Sequence, residues 1–198
     1  MPQSVDQSSS PIDIATLDAA KQAMRKAVLA RRAGLDATAC GEALAGHVLH
    51  DCPPPQGAIV SAFWPLGDEI DLRPLMRRLH DRGHPIVLPV TPKRGNPLSF
   101  RRWRPGDVME QERFGTMRPI GEEMAPDFLL VPLVAFDAAC RRLGYGGGFY
   151  DRTLPELPSR FRLGCAYAAQ QVDAVPVGPY DIQLDAVATE RGILRCGA

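Results

Sequence analysis

The 198-residue sequence has no long hydrophobic segment and no excess of charge of either sign. The most apolar run covers residues 128–136, far short of the roughly 20 residues that a membrane-spanning helix needs. Lysine plus arginine and aspartate plus glutamate each number 23, so the chain has no broad basic surface for nucleic acid or anionic lipid. We therefore expect neither a membrane nor a nucleic acid as a partner, and any anion-binding site must be local.

Signals for export, disulfides and common nucleotide motifs are also lacking. The first residues are polar, without the cationic start and apolar run of a secretory signal, so we expect a cytoplasmic protein. The five cysteines are scattered and form no CxxC pair, which predicts reduced thiols rather than a disulfide framework or a zinc site. Neither a complete GxGxxG fingerprint nor a Walker A motif occurs.

Length and composition are typical of one globular domain. Apolar residues make up 45% of the chain and charged residues 23%, which is close to ordinary usage. A chain of 198 residues can form one domain with a substantial core, but it is marginal for two. We predict a mobile tail over residues 1–11 and a single domain over residues 12–198, and we expect a monomer that acts on small molecules.

Helix and strand patterns alternate along this domain. The periodicity predicts helices over residues 13–33, 37–49 and 71–82, and strands over residues 57–64, 85–90, 98–103 and 128–136. Pro132 must then lie at the end of the last strand or at a bulge. This order predicts an α/β fold with a mostly parallel central sheet flanked by helices, a three-layer, Rossmann-like open sheet. Residues 104–125 lack periodicity and are predicted to form a long, partly ordered loop.

The first predicted helix carries a row of cations. At 3.6-residue spacing, an apolar stripe that we expect to be buried consists of Leu17, Ala20, Met24, Val28 and Arg31. Along one border of this stripe lie Lys21, Arg25 and Arg32. From the residues alone, these cations are either solvated or line an anion site.

A glycine-rich stretch follows the most hydrophobic predicted strand. Four glycines stand within the five positions from Gly144 to Gly148, before a predicted helix. Glycines leave backbone N–H groups unobstructed, which is what a phosphate-binding turn requires. The alternative is an ordinary tight turn. In either case, we expect this stretch at the carboxyl ends of the strands, where open α/β sheets bind ligands.

Several segments together resemble a known family. Residues 131–137 (VPLVAFD) and 142–152 (RLGYGGGFYDR) are similar to the signature of the 5-formyltetrahydrofolate cyclo-ligase family, also called methenyltetrahydrofolate synthetases. The likeness continues in the Lys-x-x-x-Arg pattern from Lys21 to Arg25, in residues 64–70 (WPLGDEI), and downstream in Pro176, Asp181, Asp185 and residues 189–193 (TERGI). The resemblance implies ATP-dependent closure of 5-formyltetrahydrofolate to 5,10-methenyltetrahydrofolate, with Mg²⁺ as cofactor and release of ADP and phosphate.

The resemblance also implies a role for individual residues. The implied catalytic residues are Lys21, Arg25, Arg142 and Tyr150. The implied ATP-binding residues are Lys21, Arg25, Arg142, Leu143, Gly144, Tyr145, Gly146, Gly147, Gly148, Phe149 and Tyr150. The implied substrate-binding residues are Trp64, Glu69, Gly146, Gly147, Gly148, Phe149 and Tyr150. The implied Mg²⁺ ligands are Asp151 and Asp181, with Asp185 in reserve.

Structural alternatives remain for several of these residues. Glu69 could be a charge near a helix N-terminus, and Trp64 could be a core residue, as could one of Phe149 and Tyr150. The two aspartates could be a helix cap and a turn residue. For the whole protein, the alternatives are a non-catalytic nucleotide- or folate-binding protein on the same fold and a phosphosugar isomerase-like enzyme that needs no ATP.

The sequence departs from the family pattern at two positions. Arg118-Pro119 stands where the family commonly has a Glu-Pro pair, which affects the expected closure of a loop over the substrate. Phe149 stands where tyrosine is frequent, so one hydroxyl is lost while the aromatic surface is kept.

Overall fold

The computed structural model describes residues 14–196, so the predicted tail over residues 1–11 lies outside the described residues. The helices are α1 (Ile14–Leu29), α2 (Ala37–Asp51), α3 (Arg73–Asp81) and α4 (Phe149–Thr153). The strands are β1 (Val60–Ser61), β2 (Ile86–Val90), β3 (Ser99–Trp103), β4 (Met109–Gln111), β5 (Met117–Pro119), β6 (Phe128–Pro132), β7 (Ala135–Phe136), β8 (Arg142–Leu143), β9 (Phe161–Cys165), β10 (Ala186–Thr189) and β11 (Gly192–Arg195). Among these helices, none is long and apolar enough to cross a membrane.

Seven strands form one sheet in the order β11-β10-β9-β6-β1-β2-β3. The five inner strands are parallel to one another, while β3 and β11 pair antiparallel at the two edges. From the adjacent strands β1 and β6, the chain moves outward in opposite directions, to β2 on one side and to β9 on the other. Open α/β sheets bind ligands at such a switch point, outside the carboxyl ends of the strands. The loops that follow β1 and β6 therefore mark the expected site.

Both faces of the sheet are covered. Along β6, Phe128 and Leu130 pack into the core beneath α2 and α3, while Leu129 and Val131 pack into the opposite core with Leu154, which directly follows α4. The sequence of a strand that is buried on both faces is a continuous run of hydrophobic residues, and the sequence of β6 is such a run. The predicted α/β fold with a mostly parallel sheet between helical layers is confirmed.

Two predicted strands are shorter in the structure. The strand predicted over residues 57–64 keeps only Val60–Ser61, because the chain leaves the sheet after Ala62, whose N–H donates to the carbonyl of Val87. The strand predicted over residues 128–136 ends at Pro132, and Ala135–Phe136 pair instead with β8. Proline cannot donate a ladder hydrogen bond, which accounts for the end of β6.

The predicted loop over residues 104–125 contains an antiparallel hairpin made of β4 and β5. Its strands are short and mostly polar, so they gave little periodic signal. Arg118 lies on β5 and pairs with Glu110 of β4 at 2.6 Å. The cation that replaces the family's usual acid is thus neutralised within the hairpin.

The helix predicted over residues 13–33 ends at Leu29, a 3₁₀ turn covers Ala30–Arg32, and the buried face of this segment differs from the predicted one. Ala20 and Arg31 are exposed, whereas Lys21 and Arg25 are half-buried and Arg32 is only 5% exposed. The cation row therefore lies within the packed face rather than along its border. Backbone carbonyls and a carboxylate at the carboxyl edge of the sheet give these cations hydrogen-bond partners, which offsets the cost of burying charge.

The expectation of five reduced thiols is wrong for one pair of cysteines. Cys140 and Cys196 form a disulfide with their Cα atoms 5.6 Å apart and 56 positions between them in sequence. The other three cysteines are free, and two of them, Cys52 and Cys165, are buried. The pairing arises because the end of edge strand β11 reaches the turn between β7 and β8, a juxtaposition that cysteine spacing does not encode.

Candidate functional site

Residues 142–151, here called the glycine segment, run from β8 into α4 beyond the carboxyl end of β6. Gly146 and Gly148 have φ values of +95° and +65°, a region that side-chain-bearing residues rarely adopt. A Cβ at Gly147 would lie 2.8 Å from the ring of Phe149. The shape of this turn therefore requires glycine at these positions, whether or not a ligand is bound.

The backbone of the glycine segment offers free hydrogen-bond donors. Within the described part of the chain, the N–H groups of residues 145–148 donate to no protein acceptor. Successive free N–H groups in a glycine-rich turn are the donors that bind phosphate oxygens. The turn therefore has the chemistry of an anion cradle.

Helix α1 brings one cation, Arg25, to this cradle and carries a second, Lys21, one turn earlier. Arg25 Nε donates to the carbonyl oxygen of Gly144 at 2.8 Å, and its guanidinium carbon lies 3.4 Å from where a Cβ of Gly146 would stand. One turn earlier, Lys21 Nζ lies 2.5 Å from Oδ2 of Asp181. Arg25 therefore contacts the glycine segment directly, whereas Lys21, one turn earlier on the same helix, contacts Asp181.

Arg142 adds a third, deeply buried cation. Its side chain is 3% exposed, and one terminal nitrogen donates to Oδ1 of Asp151 at 2.5 Å. Its Nε is buried without a hydrogen-bond partner. An unpaired buried donor on a charged group is costly unless a ligand or water completes it, so Arg142 retains donor capacity for a bound anion.

Both aromatic rings of the glycine segment are half-buried, but they pack against different partners. Tyr150 packs against the core on the α4 face, its hydroxyl is buried without a partner, and burial raises its pKa. Phe149 lies over Gly147 and beneath the guanidinium of Arg152, which is 5.5 Å from the ring centroid. Of the two rings, Tyr150 is the one that packs against the core, and its hydroxyl has no hydrogen-bond partner among the described residues.

Glu69 lies on the loop after β1 and is 7% exposed. Its Oε2 accepts from the N–H of Leu66 at 2.8 Å, and this hydrogen bond, the nearby Tyr145 hydroxyl and the charge of Arg32 all act to lower its pKa. Burial outweighs these contacts and raises the pKa of Glu69 above its usual range. Helix α3 begins only at Arg73, so Glu69 is not a charge in the first turn of that helix.

Trp64 lies on the same loop as Glu69. Its ring packs edge-to-face on Trp103, with centroids 6.3 Å apart, and the guanidinium of Arg73 lies 5.8 Å from its centroid. The side chain is half-buried against the core. Trp64 therefore has a structural role, as the alternative interpretation expected.

The predicted metal ligands are each paired with a cation. Asp151 accepts from Arg142, and Asp181 accepts from Lys21 and, at 2.6 Å, from the N–H of Gly178. Asp185, the reserve ligand, accepts from the N–H of Arg162 at the amino ends of β9 and β10, the opposite edge of the sheet. Between residues 14 and 196, no group of three or more His, Cys, Asp or Glu side chains could hold a metal ion.

Arg32 lies at the candidate site in the structure but was not among the site residues predicted from the sequence. Its guanidinium donates to the hydroxyl of Tyr145 at 2.7 Å and to the carbonyl of Leu133 at 2.9 Å, directly after β6. The available signal was its place in the same cation row as Lys21 and Arg25. The resemblance gave it no role.

Free amides and cations near a buried carboxylate, at the switch point of an open parallel sheet, are an arrangement typical of α/β enzymes that bind anionic ligands. The comparisons with known proteins agree with this class. A family model described as the 5-formyltetrahydrofolate cyclo-ligase family matches residues 17–190. The chain belongs to this family, as the resemblance predicted.

Individual relatives support the same conclusion. The 5-formyltetrahydrofolate cyclo-ligase of Haemophilus influenzae is 34% identical over 147 residues, 70% of this chain and 79% of the relative. That of Escherichia coli K12 is 36% identical over 139 residues, 66% of this chain and 76% of the relative. The solved structure of Aquifex aeolicus 5,10-methenyltetrahydrofolate synthetase matches with a TM-score of 0.76 at 30% identity, covering 90% of this chain and 93% of that chain. Family membership identifies the chain as a ligase of folate metabolism that forms a carbon–nitrogen bond.

Proposed function

We propose that the protein uses ATP and Mg²⁺ to cyclise 5-formyltetrahydrofolate to 5,10-methenyltetrahydrofolate, with release of ADP and phosphate. The observation that best supports this proposal is the interaction of Tyr145, within the glycine segment, with the buried carboxylate of Glu69. The candidate phosphate cradle and the candidate folate carboxylate therefore adjoin. Such an arrangement suits a reaction that transfers a phosphoryl group directly to the folate.

The chemistry requires activation of a poor leaving group. Transfer of the γ-phosphoryl group to the formyl oxygen releases ADP. The formyl carbon becomes electrophilic, because its oxygen now carries the phosphoryl group. N10 of the same folate attacks that carbon and loses its proton, and the carbon–oxygen bond breaks to release phosphate. Because both reacting atoms belong to one substrate, the protein has to position and neutralise charge rather than supply a nucleophile.

The residues of the site suit these tasks. Lys21, Arg25 and Arg142 would neutralise the phosphates, and the free N–H groups of the glycine segment would hold their oxygens. Glu69 would accept hydrogen bonds from pterin N–H groups, and Trp64 would contribute an apolar surface beside it. The unpartnered hydroxyl of Tyr150 is a further donor available to the reacting groups.

The carboxylates fit a Mg²⁺ ion that arrives with the nucleotide. Mg²⁺ prefers hard oxygen donors and commonly takes one or two carboxylates together with phosphate oxygens and water. Asp151 and Asp181 would hold it, once phosphate oxygens have drawn Arg142 and Lys21 away from them. When bound, the ion would neutralise phosphate charge during transfer.

An assay of ADP release tests this function. We expect ADP to appear only when ATP, Mg²⁺ and 5-formyltetrahydrofolate are all present, with 5,10-methenyltetrahydrofolate formed in equal amount. Binding of both ligands without ADP release would instead indicate a non-catalytic nucleotide- or folate-binding protein. Turnover of a phosphosugar without ATP would indicate an isomerase-like enzyme.

A further inference from the structure

The side chain of Arg152 folds back from α4 onto the glycine segment. One terminal nitrogen donates to the carbonyl oxygen of Gly147 at 2.7 Å, and Nε donates to the carbonyl oxygen of Asn96, in the turn between β2 and β3, at 3.4 Å. The guanidinium also lies 5.5 Å from the centroid of the Phe149 ring. Arg152 therefore connects the middle of the glycine segment to a neighbouring loop of the sheet.

Gly148 leaves the space that this guanidinium occupies. A Cβ at Gly148 would stand 2.6 Å from a terminal nitrogen of Arg152. The absence of a side chain therefore has two effects at this position: it permits a φ of +65°, and it admits the side chain of Arg152.

The contact with Gly147 fixes the direction of the next N–H group. Across a planar trans peptide, the C=O of one residue and the N–H of the next point in opposite directions, and the described residues contain no cis peptide bond. Because the Gly147 carbonyl is directed at Arg152, the Gly148 N–H points away from it. Among residues 14–196, that N–H has no protein acceptor, so it is free to bind a ligand.

A peptide between two glycines needs such a restraint. Glycine adopts positive and negative φ with similar ease, so the Gly147–Gly148 peptide could rotate at little cost and present its carbonyl in place of its N–H. A carbonyl oxygen repels phosphate oxygens, whereas an N–H binds them. The start of the glycine segment has a comparable restraint, since Arg25 donates to the carbonyl of Gly144.

We propose that Arg152 is a positioning residue for the phosphate cradle, which holds the Gly147 carbonyl and thereby keeps the Gly148 N–H directed at the phosphates of the nucleotide. This proposal rests on the proposed function for the identity of the anion. It gives a task to a residue directly after the glycine segment, to which the resemblance gave none. The alternative is a direct contact between Arg152 and phosphate, which would leave the Gly147–Gly148 peptide independent of Arg152.

The first experiment examines this peptide by NMR without any ligand. The ¹³C chemical shift of the Gly147 carbonyl reports its hydrogen bond, and the nuclear Overhauser effect between Gly147 Hα and the Gly148 N–H reports the orientation of the peptide. In Arg152→Met, which has no donor, we expect the carbonyl signal to move upfield and the Overhauser effect to change in intensity. Both should return toward the wild-type values in Arg152→Lys, which keeps a donor.

Arg160→Met is the matched control for this experiment. Arg160 is half-buried like Arg152, and it pairs with Asp127 at 2.8 Å beside the amino end of β6, away from the glycine segment. Arg152→Met should fold, because the side chain that it replaces is only half-buried. Unchanged signals in Arg152→Met, or equal changes in Arg160→Met, would overturn the proposal.

A second experiment compares ATP binding and turnover in the same variants. Arg152→Met should raise the Kd and the KM for ATP about tenfold, the scale of one hydrogen bond from a charged donor, with little change in the KM for 5-formyltetrahydrofolate. Arg152→Lys should recover most of the ATP affinity, and Arg160→Met should match the wild type. A fall in kcat with both KM values unchanged would overturn the proposal, because it would show only a loss of folded protein.

The two experiments together separate positioning from direct contact. Weaker ATP binding in Arg152→Met without any change in the Gly147–Gly148 signals would overturn the proposal and show that Arg152 contacts phosphate itself. A changed peptide with unaltered ATP affinity would also overturn it, since the Gly148 N–H would then not hold the nucleotide. If the wild-type protein does not bind ATP, the proposed function fails, while the NMR signals still decide whether Arg152 orients this peptide.

Discussion

Lys21 Nζ and Asp181 Oδ2 lie 2.5 Å apart, in an ion pair that joins α1 to the loop before β10. Their side chains are 13% and 21% exposed, so the pair is largely removed from water. A phosphate group that binds Lys21 must compete with this carboxylate. The residue proposed to hold phosphate and the residue proposed to hold Mg²⁺ therefore neutralise each other in the ligand-free protein.

This pair predicts opposite effects of Asp181→Asn on nucleotide and metal. Without Mg²⁺, the variant should bind ATP about fivefold more tightly, because a competing negative charge is gone, a gain of roughly 1 kcal/mol. The Mg²⁺ concentration for half-maximal ADP release should rise, as it should in Asp151→Asn. Calorimetric ATP titration and a Mg²⁺ series measure the two effects, with exposed Asp173→Asn as control. A metal defect in Asp185→Asn but not in Asp181→Asn would contradict the assignment.

The cations of α1 should serve the nucleotide rather than the folate. Lys21→Ala and Arg25→Ala should each weaken ATP binding by about tenfold to a hundredfold, since each loses one charge-assisted contact of about 1.5–3 kcal/mol. Folate affinity should change little. Lys26→Ala, an exposed lysine on the same helix, is the control. Equal ATP affinity in all three variants would remove α1 from the site.

Gly146 should be required for ATP binding beyond its backbone conformation. Gly146→Ala should destabilise the fold by about 1–2 kcal/mol, because φ is +95°, and its Cβ should displace the Arg25 guanidinium at 3.4 Å. Gly106→Ala is a matched control, with a φ of +90° and no atom within 4 Å. Urea unfolding should show a similar loss in both, whereas only Gly146→Ala should weaken ATP binding. Equal ATP affinity in the two variants would show that the cradle tolerates a side chain.

Local sequence patterns predicted much of the fold. Periodicity located the helices and the buried strand β6, because a strand covered on both faces needs an unbroken apolar run. Pattern reasoning failed where tertiary contacts decide the outcome. The two-residue strand β1 depends on its neighbours, and the Cys140–Cys196 disulfide depends on where β11 ends.

The candidate site was predictable in its residue types and less so in its contacts. The glycine turn and the spacing of Lys21 and Arg25 are local features, so the sequence revealed them. The pairing of Lys21 with Asp181 and the contact of Arg32 with Tyr145 each span more than 100 positions, and no local pattern carries such information. The burial of Arg32 was missed for the same reason.

The disulfide predicts a thiol count that differs from the cysteine count. In denaturant without reductant, three of the five cysteines should react with a thiol reagent, and all five should react after reduction. Reduction should lower the free energy of unfolding by up to about 4 kcal/mol, because the bond closes a loop of 56 positions. Cys196→Ser should reproduce this loss, and Cys40→Ser, which removes a free thiol, should not. Five reactive thiols before reduction would contradict the pairing.

Glu69 should make the stability of the protein depend on pH. Burial raises the pKa of its folded carboxyl above the ordinary value of 4.5, so between these two values the folded state binds more protons than the unfolded state. The stabilisation from this excess is fully present below pH 4.5 and is lost as pH rises through the folded pKa, with a slope of up to about 1.4 kcal/mol per pH unit.

The variant Glu69→Gln should escape this loss, because a glutamine side chain does not ionise. Chemical denaturation from pH 4 to pH 8 should show the variant gaining on the wild type as pH rises, until it is the more stable protein at neutral pH. Its folate affinity at that pH should be lower, because the charge that accepts pterin N–H groups is gone. Glu156→Gln, at an exposed position, should show no such pH-dependent gain. A stability difference between Glu69→Gln and wild type that stays constant across this range would mean that Glu69 ionises as readily in the folded chain as in the unfolded one.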